Sequence, residues 1–172
     1  MIETNIPNIQ AFTQILHSPD CGPVAVKSIY ASIRGEVLSD DSLKIRLGTT
    51  SEGTRPENIK RFFTEEGFVV SEGENQTIED IKRELLKGRL CLVAYQAWGT
   101  EKEYQEMESG HYSVIYGVDD EDVYLLDSSI YKDVGLGIAR RKLSLERFME
   151  NWKDKDDAGR IYTRWYLAVG EK

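Results

Sequence analysis

The stretch GHYSVIYGVDDEDVYLLDSS, Gly110 to Ser129, decides the fold. Its first part, His111 to Val118, mixes β-branched and aromatic residues, and Asp119 to Asp122 then interrupt it with four acidic side chains. Val123 to Asp127 resume the apolar run. Two β-rich runs divided by a polar turn read as a hairpin. In an antiparallel hairpin the start of the first strand lies beside the end of the second. His111 and Asp127 hold those two places, so local topology sets an imidazole beside a carboxylate. Such a carboxylate fixes the tautomer of the ring and favours its charged form. The acidic turn lacks the spaced ligands and the glycine of a calcium loop, so it reads as a turn only.

Upstream the pattern is helical. VAVKSIYASIRG, from Val24, ends at Gly35. A second helix follows Ser39 as N-cap and stops at Gly48. A third carries Pro56 in its first turn, where proline is tolerated, and ends at Gly67. TIEDIKRELLKG opens on Thr77 with Asp80 three residues on, close to a capping box. Strands FVVSE and LCLVAYQAW frame that helix. After the hairpin come a helix behind Ser144 and one closing strand, YTRWYLAVG. Helices first and an antiparallel sheet after make an α+β domain spanning residues 1–172. The segments GTEKEYQEMESG and KDKDDAG read as charged surface loops, the first one flanking a cleft, and Trp98, Trp152 and Trp165 as packing residues.

With 172 residues, 40% hydrophobic and 30% charged, the chain is long enough for one core. A net charge of −8 argues against nucleic acid and against an anionic membrane surface, which need a basic footprint. The N-terminus has neither a basic n-region nor an apolar h-region, and no segment is long and apolar enough for a membrane span, so the expected location is cytoplasmic. Two cysteines and two histidines without paired spacing make no metal-ligand pattern, and no cofactor is expected. Cys91, inside the run LCLVAY, reads as a core residue.

Cys21 stands in HSPDCGPVAV, just before a helix opened by Gly22 and Pro23. Taken alone, it reads equally as a small apolar residue at the start of a buried helix. A helix start also stabilises a thiolate, and its N–H groups are natural oxyanion donors. Gly22 is expected to let a substrate backbone come close. The His111–Asp127 pair tips the balance, because a histidine oriented by a carboxylate is what a cysteine nucleophile needs.

The order Cys, His, Asp is similar to that of papain-like enzymes. More narrowly, the chain resembles the bacteriocin-processing, double-glycine-leader cysteine peptidase family and its peptidase-like relatives. The resemblance rests on DCGPVAVKSI, on TSEGTRPENIKRFFTEEGF, on the His111–Asp127 hairpin, and on FMENW with YTRWYLAVG, which together span nearly the whole chain. It implies a papain-like fold, with Cys21 as nucleophile, His111 as general base and acid, and Asp127 orienting His111. The family also places a glutamine six residues before the cysteine as an oxyanion donor. Here that position is Ile15, and Gln14 stands seven before, with Gln10 more remote and His17 a loop residue. Asp127 is followed by Ser128 where the family often has proline. With no membrane span and no nucleotide-binding motif, the expectation is a domain without an attached transporter. The implied activity is hydrolysis of a peptide or amide through a thioester. Acyl transfer on the same triad, or a binding domain that keeps the fold without turnover, are the alternatives.

Overall fold

The computed structural model describes residues 1–172. Three helices come first: α1 (Cys21–Arg34), α2 (Asp40–Leu47) and α3 (Pro56–Glu65). The main sheet runs in the order β2 (Val69–Gly73), β9 (Tyr166–Gly170), β3 (Leu90–Gln96), β4 (Gly110–Val118), β5 (Asp122–Leu126), β6 (Arg140–Ser144), all neighbours antiparallel. A short β1 (Ile2–Glu3) pairs with Gly117 and Val118, beyond the reach of β3. Helices α4 (Ile78–Leu86) and α6 (Leu145–Asn151) pack on the sheet face opposite α1.

The run in β3 explains this layering. All seven of its residues are buried. Leu90, Leu92 and Ala94 enter one core with Val26, Ile29, Leu43 and Phe63, while Cys91, Val93 and Tyr95 enter a second with Ile81, Leu85, Phe148 and Trp152. A strand covered on both faces needs apolar residues at every position, which is why the sequence runs without alternation there. Cys91 is the core residue its context indicates.

The helix punctuation follows the sequence. The Ser39 hydroxyl accepts from the N–H of Ser42, Pro56 occupies the first turn of α3, and Thr77 with Asp80 forms a complete capping box. Three expectations need correction. The closing strand is broken at Arg164, which takes a left-handed φ of 48°. Tyr162 therefore belongs to β8 (Ile161–Thr163), paired with β7 (Lys153–Lys155), and only the remainder joins the main sheet. The break lets Trp165 bury completely, with its carbonyl accepting the indole N–H of Trp152 at 2.8 Å. KDKDDAG is accordingly a strand and hairpin turn rather than a loop. GTEKEYQEMESG contains a six-residue helix, α5 (Glu101–Glu106), nucleated by a Thr100–Glu103 capping box. No helix is long and apolar enough to cross a membrane.

Candidate active site

Helix α1 begins at Cys21. The residue before it, Asp20, does not cap the helix with its side chain; its carboxylate pairs with Lys44 Nζ at 2.8 Å instead. The first N–H groups of α1 are left without a side-chain acceptor, and such groups are donors to whatever lies beyond the helix end. Gly22 is required for a reason other than substrate access. A Cβ there would lie 2.7 Å from Thr54 Oγ1 and 2.8 Å from Thr54 Cβ, with the Tyr112 ring at 3.5 Å. The helix start is thus pressed against the loop that precedes α3, and Tyr112 locks that loop by donating its hydroxyl to the Thr54 carbonyl at 2.8 Å.

His111 is the second residue of β4 and Asp127 the first after β5. Leu126 pairs with Val114, so the continued register puts Asp127 across from Ser113 and diagonal to His111. The imidazole Nε2 and Asp127 Oδ1 are 2.8 Å apart, with His111 and Asp127 both buried. Nδ1 remains as the nitrogen available to Cys21, and the two side chains line the same cleft.

The carboxylate of Asp127 is fully satisfied. Oδ1 also accepts from the N–H and hydroxyl of Ser129 at 2.9 and 2.6 Å. Oδ2 accepts from the Tyr95 hydroxyl at 3.2 Å and forms an ion pair with Arg141, whose Nε lies 3.1 Å away. Arg141 is itself held by the Ala97 carbonyl at 3.0 Å. Sequence reasoning missed both Tyr95 and Arg141. Tyr95 is hidden in an apolar run, and Arg141 sits on β6, where neither periodicity nor a motif singles it out.

Electrostatics follow from this wiring. Burial alone would lower the pKa of His111, but its hydrogen bonds to Asp127 and Cys21 outweigh burial and raise it to about 9. For Asp127, burial works upward, yet the His111 hydrogen bond and charge, with Arg141 behind, hold the carboxyl well below the usual carboxylate range. The pair is therefore an imidazolium–carboxylate pair at neutral pH. Trp98, expected as a packing residue, is 45% exposed, and its ring lies 4.9 Å from that of His111, covering the imidazole.

Gln14 is not among the residues lining the cleft. Its amide Nε2 donates to the Ser18 carbonyl at 3.0 Å, and its Oε1 accepts from Ser128 Oγ at 2.6 Å. It ties the loop before Cys21 to the loop after Asp127, through the serine that stands where the expected proline is missing. Gln10 is turned to the far end of α1, donating to the Ala31 carbonyl at 3.0 Å. His17 is an exposed loop residue with a left-handed φ of 58°.

The cleft that Cys21 and His111 share measures about 280 Å³. One wall is the Glu52–Pro56 loop, and the other is built from Met107 to Tyr112 with β7 and the turn after it.

Solved structures share the fold of this chain. The peptidase domain of Streptococcus ComA, a bifunctional ABC transporter of a quorum-sensing pathway, superposes with a TM-score of 0.67 at 19% identity, covering 96% of this chain and all of that one. A C39-like peptidase from Bacillus anthracis gives 0.72 at 12% identity over 99% and 98%. A double-glycine-motif protease from an AMS/PCAT transporter, solved with its leader peptide, gives 0.62 at 13% over 100% and 99%. At these identities the likeness establishes the papain-like fold. No curated protein matches the chain in sequence. The peptidase C39 family model matches residues 10–155, most of the length, and the chain therefore belongs to the peptidase C39 family.

Proposed function

We propose that the domain is a cysteine peptidase that cleaves a peptide amide through a Cys21–His111–Asp127 triad. The observation that carries this reading is the buried His111–Asp127 pair, 2.8 Å apart, in the cleft that also holds Cys21 at a helix start. The Cys21 thiolate attacks the amide carbon. The oxyanion takes a hydrogen bond from the N–H of Cys21 at the start of α1, while Gln14, outside the cleft, stays bound to Ser18 and Ser128. Collapse breaks the C–N bond, and His111 gives its proton to the leaving amine. The acyl group remains on sulfur as a thioester. Water then attacks while His111 takes one of its protons, and the acid leaves as the Cys21 thiolate re-forms. A peptide as the substrate class is supported by the relative solved with its leader peptide.

Alkylation by iodoacetamide at neutral pH, read by peptide mass, tests the nucleophile. Cys21 should label faster than a free thiol. Cys91 should stay unlabelled, because it is fully buried and burial pushes its thiol far above the ordinary range. Peptide-library hydrolysis by the wild type and by Cys21→Ala is the companion measurement. Slow labelling of Cys21 together with cleavage that survives Cys21→Ala would refute the triad.

A further inference from the structure

Within the cleft, one carboxylate is unused by the triad. Asp154 on β7 lies in the same cleft as Cys21 and His111, packed against Gly110, where any Cβ would collide with its oxygens. Oδ1 is fixed by Gln96 Nε2 at 3.1 Å and by the backbone N–H of Lys155 at 2.8 Å. No hydrogen bond and no cation reaches Oδ2. Besides His111, which is paired with Asp127, the cleft has two cationic side chains, and both are committed elsewhere. Arg55 is held in a two-pronged contact with Asp157, at 2.8 and 3.1 Å, and Lys155 Nζ donates to the Glu106 carbonyl at 2.8 Å. Around Asp154 the lining includes Ala94, Tyr112, Tyr162 and Pro56, apolar surfaces that suit the methylene stem of a long side chain.

We propose that Asp154 is the specificity-determining residue of this cleft, the counter-ion for a lysine or arginine side chain of the substrate on the acyl side of the scissile bond. The proposal rests on the peptidase reading above and adds the substrate class to it. The physical reason is the missing ion-pair partner. A largely buried carboxylate that no cation touches bears a desolvation cost, and a ligand that brings a cation into contact removes it. Burial does push the Asp154 carboxyl up, to about 6, against its hydrogen bonds to Lys155 and Gln96 and the charge of His111. The group is still mostly ionised at neutral pH. A neutral side chain of the same shape would leave that charge buried and unanswered, which is how a site rejects a near-isostere.

The test uses two peptide aldehydes that form a reversible hemithioacetal with Cys21, acetyl-Leu-Arg-glycinal and acetyl-Leu-citrulline-glycinal. They differ only in the charge of one side chain. The readout is protection of Cys21 from iodoacetamide, which needs no turnover. The arginine compound should protect the wild type at least tenfold more strongly, and Asp154→Asn should remove most of that preference. Equal protection of the wild type by the two compounds, protection by neither, or a preference that survives Asp154→Asn overturns the proposal. Failure of the peptidase reading shows separately, as absence of Cys21-dependent peptide hydrolysis.

Discussion

Replacing Asp127 by asparagine keeps the volume behind His111 and removes the charge. In the folded protein His111 titrates at about 9, against an ordinary 6.5. That difference of about 2.5 pH units, at about 1.4 kcal/mol each, places about 3–4 kcal/mol in the preference of the fold for the charged ring. The hydrogen bond to Asp127 is the largest of the contributions that raise it, and burial opposes them all. In Asp127→Asn burial is opposed by Cys21 alone, and the His111 midpoint should drop well below its wild-type value. Because the folded value is raised, the stabilisation is fully present below about pH 6.5 and fades as the pH climbs through 9. The depressed carboxyl of Asp127 describes the same contact from its other end, so it is counted once. Carbon-13 NMR of histidine-labelled protein measures the midpoint directly. The chain has only two histidines, so one His17 variant assigns the spectrum. A wild-type midpoint near 6.5, or a raised midpoint that Asp127→Asn does not move, would refute the reasoning.

Arg141→Met removes the cation 3.1 Å from Asp127. Chemical denaturation should show a loss of about 2 kcal/mol, the range for a hydrogen bond to a charged group, and the His111 midpoint should rise because the carboxylate is less offset. Gly22→Ala forces a Cβ to within 2.8 Å of Thr54 Cβ, and should cost about 1–3 kcal/mol by overpacking and slow the alkylation of Cys21 as the helix start shifts. Thr54→Gly in the same protein should restore part of both.

The layering of the fold was legible in two stretches. LCLVAY has the unbroken apolarity of a strand covered on both faces, and the 110–129 hairpin announces its own turn. Cys21, His111 and Asp127 could be singled out because strand ends and helix starts are where backbone geometry leaves side chains free to converge. What escaped depends on pairings made far along the chain. Arg141 reaches Ala97 and Asp127 only because β6 joins the sheet edge, and Asp154 enters the cleft only because Arg164 breaks the last strand. KDKDDAG looked like solvated loop because its charges are not periodic, yet its second residue is largely removed from water. Gln14 shows the converse: only its place one residue from the family position suggests the family role, while its contacts are those of a clamp between two loops.

Arg141 belongs to β6, which has a neighbour on one side only. Outermost strands are the first part of a sheet to open in local fluctuations. Each opening withdraws the guanidinium from Asp127, so the charge balance behind His111 holds only for the fraction of time that the edge is closed. The chemistry of the cleft thereby acquires a duty cycle set on the far side of the sheet. Hydrogen exchange at the β6 amides and the temperature dependence of Cys21 reactivity should report the same opening equilibrium.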